Sequence, residues 1–443
     1  MENKRKVAFH NLGCKVNSYE AEAMMAELIR CGYETVPFAE GADVYVINTC
    51  TVTNIADRKS RQMLHRAKAM NPEAVVVAAG CYAQAAGEAL LKDEAVDIIV
   101  GNDRKHDLPD LLEAWFDSGK KQLSLDDIGK NRSFEEMPAQ CSEHARAFLK
   151  VEDGCNQFCS YCLIPYVRGR VRSRKEEEIL REARELVEKG YPEIILTGIH
   201  VSSYGLDFEG DAADRGGYGA PLMGLLQKLD EIPGIARIRL SSLEPRIITE
   251  ENVNAMASLT HLCPHFHLSL QSGCDATLKR MNRKYTAEEF LEKTGLLRQA
   301  FGNPALTTDV IVGFPGETEE EFAETCTFLK KVNFYQTHIF RYSRRRGTVA
   351  DRLPDQIPEK VKAERSAKLL ALDRINRRAF AESFLGTGRE VLLETVLEEK
   401  DGKTVWTGLT PEYLRLKLSL EEGRPGLIVP VVVNRENLMI SEE

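Results

Sequence analysis

Three thiols fall within eight residues, Cys155-Asn-Gln-Phe-Cys159-Ser-Tyr-Cys162, spaced C-x3-C-x2-C, and no further cysteine follows until Cys263. This run constrains the fold more than any other feature, because the chain around it must hold three sulfurs at one place. Closed iron–sulfur sites take four protein thiolates, with the fourth usually nearby. Three would hold a 4Fe–4S cube with one iron open to a small-molecule ligand. A zinc loop and three structural cysteines are the rival readings. Zinc sites usually come as paired CxxC knuckles or Cys/His sets, and no second knuckle occurs here.

Three more cysteines close short apolar runs: Lys6-Val-Ala-Phe-His-Asn-Leu-Gly-Cys14, Asp43-Val-Tyr-Val-Ile-Asn-Thr-Cys50 and Ala74-Val-Val-Val-Ala-Ala-Gly-Cys81. A helical pattern follows each, such as Glu20 to Ile29 with Met24, Met25, Leu28 and Ile29 on one face. Strand–turn–helix repeated three times predicts a parallel sheet with buried strands. The carboxyl ends of such strands share one edge, where ligands bind, so Cys14, Cys50 and Cys81 should meet in space. One cysteine at a strand end is more often a small buried hydrophobe. Three at equivalent positions read better as a second three-thiolate cluster.

With Tyr161 before its last cysteine, the Cys155 loop resembles the signature of radical S-adenosylmethionine (SAM) enzymes. Leu12-Gly-Cys-Lys-Val-Asn-Ser-Tyr-Glu20, Asn48-Thr-Cys-Thr-Val-Thr53 and Ala79-Gly-Cys-Tyr-Ala83 resemble the cluster motifs of the methylthiotransferases. So do Gly154-Cys-Asn, Ile164-Pro-Tyr-Val-Arg-Gly-Arg170 and Arg172-Ser-Arg174, and the likeness continues to a C-terminal TRAM-like segment. The resemblance implies two 4Fe–4S clusters and two roles for SAM. One SAM would give a methyl to sulfur held at Cys14/Cys50/Cys81. The other would be cleaved at Cys155/Cys159/Cys162 to a radical that activates adenine C2. Gly13-Cys-Lys-Val-Asn17 is most similar to the branch acting on N6-threonylcarbamoyladenosine at tRNA position 37; an isopentenyladenosine or ribosomal-protein aspartate branch remains open. Outside the enzymes stands a non-catalytic RNA-binding iron–sulfur redox sensor.

The organisation read from the chain is α/β, with an N-terminal parallel cluster domain (1–115) and a polar linker (116–142) that includes Lys130-Asn-Arg-Ser133. A partial (βα)6 TIM-like barrel (143–372) and a small β-barrel (373–441) follow. Barrel strands are expected at 147–151, 193–198, 236–241, 265–270, 308–312 and 337–342. Sites in such barrels lie at the carboxyl ends of the strands. Gly198, Ser242, Glu244, Gln271, Ile311 and Phe314 fall at those ends, and with Tyr161 they are the residues that the resemblance assigns to SAM. Turns and core residues look similar in sequence. No histidine is nominated as catalytic; His10, His200 and His267 read equally as structural. Cys31, Cys141, Cys263, Cys274 and Cys326 share no pattern.

A net charge of −9 argues against a generic polyanion binder, so RNA contact must come from local patches. Candidates are Arg168, Arg170, Arg172, Arg174 and Lys175; Arg58, Lys59, Arg61, Arg66 and Lys68; and Arg341, Arg344, Arg345 and Arg346. Solvated faces are the plain alternative. Residues 374–441 carry as many acidic as basic residues, and Trp406 and Tyr413 could stack on bases or fill a core. Lys15 and the arginines near Arg344 are candidate partners for a substrate carboxylate. The expected partners are a tRNA anticodon stem-loop and an electron donor such as a flavodoxin or ferredoxin, with the sulfur donor unassigned. No apolar stretch approaches a membrane span, Met1–Lys6 is no signal peptide, and eleven cysteines in a long α/β chain fit a reduced cytoplasm.

Overall fold

The computed structural model describes residues 4–131, 133–137, 145–208, 217–400 and 402–440. Its first unit is a parallel sheet of β1 (Lys6–Asn11), β2 (Glu34–Thr35), β3 (Val44–Thr49), β4 (Val75–Gly80), β5 (Ile98–Val100) and β6 (Gln122–Ser124), in the order β2-β1-β3-β4-β5-β6. β3 and β4 are buried at every position, as their unbroken apolar runs require when helices cover both faces. The helices Lys15–Arg30, Asn54–Met70, Cys81–Ala86 and Leu108–Ser118 connect the strands.

β6 lies inside the stretch that reads as a linker. Gln122-Leu123-Ser124 has no apolar run, yet it pairs with β5 from Ile98↔Gln122 to Val100↔Ser124. Backbone groups alone extend the sheet there, and side-chain pattern gives no sign of that. Cys141, with the rest of 138–144, lies outside the described residues.

The second unit opens with β7 (Ala147–Lys150). An antiparallel ribbon, β8 (Glu152–Asp153) with β9 (Arg172–Ser173), then brackets the cysteine loop. β10 (Glu193–Thr197), β11 (Arg237–Leu240), β12 (His265–Gln271), β13 (Ala305–Val312) and β14 (Gln336–Arg341) follow, separated by helices. β11-β10-β7 and β12-β13-β14 are parallel trios, joined by the bridges Ile238↔Leu262 and Leu243↔Leu268. This is the partial (βα)6 barrel expected. Among the described residues β7 and β14 do not pair, and the first unit reaches both edges of that gap. Tyr19 and Ala23 pack on Phe148 of β7, and Asn54 Nδ2 donates to Arg344 O just beyond β14, at 2.8 Å.

After the long helix Glu359–Glu382, β15 (Gly388–Lys400), β16 (Lys403–Leu409), β17 (Arg415–Leu420) and β18 (Ile428–Val432) form an antiparallel sheet, order β17-β16-β15-β18. Register shifts between Leu393 and Thr395, and between Val396 and Glu398, bend the long β15. The result is a curled half-barrel, in keeping with the small C-terminal β-barrel expected. Trp406 belongs to its core with Val391, Leu393 and Leu416. Tyr413 stacks on His265 at 4.6 Å between centroids. The unit sits at the amino ends of the barrel strands, opposite the cysteine loop. There Arg237 donates to Leu409 O and Glu390 O, both at 2.9 Å. Arg239 donates to Pro411 O, also at 2.9 Å.

Candidate active site

The cysteine loop leaves the barrel at the carboxyl end of β7, through Gly154. Its φ is 83°, and a Cβ there would lie 2.0 Å from Arg170 O, so only glycine lets the ribbon close this tightly. The sulfurs face hydrogen-bond donors. Gln157 N is 3.5 Å from Cys155 Sγ, Ile164 N is 3.4 Å from Cys162 Sγ, and Arg283 Nη1 is 3.2 Å from Cys159 Sγ. Burial, with Cys159 nearby, pushes the Cys162 thiol up to about 12, and burial raises Cys155 as well. Such thiols keep their protons until a metal displaces them.

Unpartnered polar groups lie beside the loop. Glu152 is fully buried; its Oε2 accepts from His200 N at 2.7 Å, while Oε1 has no partner among the described residues. Burial holds this carboxyl well above the usual range. His200 Nε2 is also unpartnered, and burial brings the imidazole down to about 3. Gly198 lies against Glu152, where a Cβ would meet Oε2 at 2.7 Å. Glu244 holds Arg246 Nε at 2.7 Å, and Arg246 Nη2 reaches Gln157 Oε1 inside the loop at 3.1 Å. Gln271 ends β12 with φ 73°. Tyr161 meets Phe314 edge to face at 6.3 Å, in a small cluster that includes Ile311. Phe314 is fully buried beneath it, whereas Ser242 is exposed.

The N-terminal cysteines follow one sheet edge. Thr49 and Gly80 are paired in register, and Cys50 and Cys81 come directly after them. Gly13, at φ 114°, brings the Cys14 turn so near that a Cβ on it would lie 3.2 Å from Cys50 Sγ. Burial pushes the Cys50 thiol up to about 11, with Cys81 and Cys14 adding to it. Cys81 Sγ accepts from Arg168 Nε at 3.2 Å and from Asn102 Nδ2 at 3.7 Å. Among the described residues, no three Cys, His, Asp or Glu side chains already converge as a single-ion chelate. What marks both groups is the strand edge they follow and the donors that face their sulfurs.

A buried ion network separates the two groups. Arg168 Nη1 lies 2.6 Å from Glu20 Oε1 and 3.0 Å from Asp153 Oδ2. Lys150 Nζ reaches the same two carboxylates at 2.7 and 2.6 Å, and Arg172 Nη2 lies 2.8 Å from Asp103 Oδ1. These contacts correct the reading of the basic run after the loop. Arg168, Arg172 and Arg174 are buried ion-pair partners, and only Arg170 and Lys175 of that run are exposed. Arg345 is likewise buried, 2.8 Å from Asp57 Oδ2. Arg58, Lys59, Arg61, Arg66, Arg341, Arg344 and Arg346 remain exposed.

Two family models match the chain: the radical SAM superfamily over residues 149–329 and uncharacterized protein family UPF0004 over residues 6–101. The threonylcarbamoyladenosine tRNA methylthiotransferase MtaB of Bacillus subtilis is 40% identical over 96% of this chain and 93% of its own. The chain belongs to the radical SAM methylthiotransferase family. The MtaB of Aquifex aeolicus is 42% identical over 93% of this chain and 96% of its own. The tRNA-2-methylthio-N(6)-dimethylallyladenosine synthase of the same organism is 35% identical over 97% and 95%. Among solved structures, the radical SAM methyltransferase TsrM of Kitasatospora setae matches with a TM-score of 0.56 at 15% identity, covering 77% of this chain and 76% of that one. That likeness concerns the fold alone. Members of this family use SAM and 4Fe–4S clusters.

The residues fit those groups. The two sets of three thiols would hold the clusters, and the orphaned Glu152 Oε1 and His200 Nε2 offer polar partners for a ligand beside Cys155. Cys155, Cys159 and Cys162 would hold the cluster that, when bound, would supply an electron and an open iron for reductive cleavage of SAM. Sequence reading passed over Arg283, Glu152, Asp153 and Asn102. A lone arginine or carboxylate carries no spacing signal; only folding brings Arg283 to a sulfur 124 residues away.

Proposed function

We propose that this chain attaches a methylthio group to C2 of N6-threonylcarbamoyladenosine at position 37 of tRNA. One comparison carries the reading: against the two relatives from Aquifex aeolicus, identity is 42% with the threonylcarbamoyladenosine enzyme and 35% with the dimethylallyladenosine synthase. The chain works as three units, 1–115 for the N-terminal cluster, 143–372 for SAM cleavage and 373–441 as a TRAM-like unit. Cys14, Cys50 and Cys81 hold one cluster, and Cys155, Cys159 and Cys162 hold the other. Glu152, His200 and Gly198 contact SAM, together with Tyr161, Ser242, Glu244, Gln271, Ile311 and Phe314; the orphaned polar atoms of Glu152 and His200 beside the cysteine loop support this.

Arg58, Lys59, Arg61, Arg170 and Arg346 are exposed and supply cations for anticodon-loop phosphates. A flavodoxin- or ferredoxin-like donor provides the electron. Among the described residues no helix is long and apolar enough to cross a membrane, in keeping with work on tRNA in the cytoplasm. Deleting the gene should abolish 2-methylthio-threonylcarbamoyladenosine from bulk tRNA, read by nucleoside mass spectrometry, and spare 2-methylthio-isopentenyladenosine. Loss of the isopentenyl product alone moves the chain to the sister branch. Loss of neither overturns the tRNA reading.

A further inference from the structure

The network between the cysteine groups has more cations than anions. Lys105, Lys150, Arg168 and Arg172 face Glu20, Asp103 and Asp153, and all seven side chains are at most 5% exposed. Glu152 is next in sequence to Asp153, and Lys150 and Arg172 act on it at longer range. Among the described residues, however, its carboxyl group lies within salt-bridge distance of none of these cations, accepts from His200 N and is held well above the usual range by burial. Arg168 spends its terminal nitrogens on Glu20, Asp153 and Asn17. The N–H left over, on Nε, points at Cys81 Sγ from 3.2 Å. Arg168 lies six positions after Cys162, so one side chain leaves the SAM-loop segment and ends on a thiol of the other group.

We propose that Arg168 is a positioning residue that raises the reduction potential of the cluster held by Cys14, Cys50 and Cys81, and that the network keeps one uncompensated positive charge for it. The inference rests on those three cysteines holding a cluster. A buried cation hydrogen-bonded to a ligand sulfur stabilises the reduced, more negative state; net charge and hydrogen bonds to sulfur are the levers a protein has on such potentials. Low polarity magnifies the effect, because no water screens the pair. A guanidinium keeps its proton even when buried, and Glu20 and Asp153 pair with it at 2.6 and 3.0 Å.

The test uses full-length protein carrying Cys155→Ala, Cys159→Ala and Cys162→Ala, so that only the N-terminal site takes iron and sulfide. Its midpoint potential is read by a redox titration followed by electron paramagnetic resonance, with iron counted in parallel. Arg168→Gln should load iron normally and shift the midpoint to more negative potential. Arg168→Lys, which keeps the charge but loses Nε, should shift it less. Glu20→Gln enlarges the cationic surplus and should shift it the opposite way. If Arg168→Gln fails to fold, Arg168→Lys and Glu20→Gln carry the comparison. Iron-loaded variants with unchanged midpoints, or shifts of one sign throughout, overturn the proposal. So does loss of iron in the Arg168 variants, which assigns the residue to building the site. A parent protein that binds no iron sinks the cluster reading itself.

Discussion

Gly154 and Gly198 lie on either side of the same loop, and their substitution should fail differently. Alanine at Gly154 must adopt φ 83° and meet Arg170 O. The left-handed conformation alone costs about 1–2 kcal/mol, and the clash adds to it. Gly154→Ala should therefore melt earlier and lose iron from the Cys155 site. Gly198→Ala, with no positive φ to adopt, meets Glu152 Oε2 at 2.7 Å, which can turn aside, and the Glu152 backbone O and Cβ at 3.1 and 3.2 Å, which need give by only a few tenths of an ångström. It should keep its iron and weaken SAM binding, measured by calorimetry. The cysteines allow a cleaner division. Intact protein should hold about eight irons if both clusters are 4Fe–4S cubes. Alanine at Cys14, Cys50 and Cys81 should roughly halve that and leave SAM cleavage in place. Alanine at Cys155, Cys159 and Cys162 should halve the iron and abolish 5′-deoxyadenosine. Iron content indifferent to the first triple change removes the second cluster.

Elements are joined by a few buried charges. The helix Asn54–Met70 is capped by Thr53, whose side chain accepts from Ala56 N. Its first turn is tied to the far side of the barrel by Arg345, which reaches Asp57, Asn54 and Thr51. Removing one partner of a fully buried pair costs about 3–5 kcal/mol; Asp57 is only partly buried, so the cost here should be smaller. Arg345→Ala should loosen the first unit from the β14 edge while its own sheet stays folded. Hydrogen exchange would show protection lost around Asn54 and Ser343 but kept in β3 and β4. Uniform loss would mean that the units fold as one block.

At the scale of the whole molecule, the half-barrel is seated on the barrel through Glu193, Arg237, Arg239 and His265. Burial works against the Glu193 charge, but Arg239, Arg146 and Arg237 hold its carboxyl below the usual range. Burial also keeps His265 well below the ordinary imidazole range. Both shifts are downward, so the unfolded chain takes up more protons as pH falls, and stability declines with acid. The histidine share begins to go near its unfolded value of about 6.5, and the carboxylate share only below about 4.3. Melting temperature should thus fall in two windows. His265→Gln should shrink the upper one, which His200 shares, and Glu193→Gln the lower, which Glu20 and Asp153 share. A profile unchanged by either substitution would place the acid-sensitive groups elsewhere.

The cysteine spacing, the apolar runs before Cys14, Cys50 and Cys81, and the alternation of strands and helices were legible because each is local: a period or a spacing survives in one dimension. The fold class and both thiol groups follow from them. Tertiary structure alone decided which charges are solvated. Arg168 and Arg170 are two residues apart and look alike in sequence, yet one is fully buried against Cys81 and the other faces water. The three-residue β6 strand and the seat of the half-barrel were hidden for the same reason. Backbone pairing and long-range hydrogen bonds depend on partners 24 to 172 residues distant, and nothing in a residue's immediate neighbours records them.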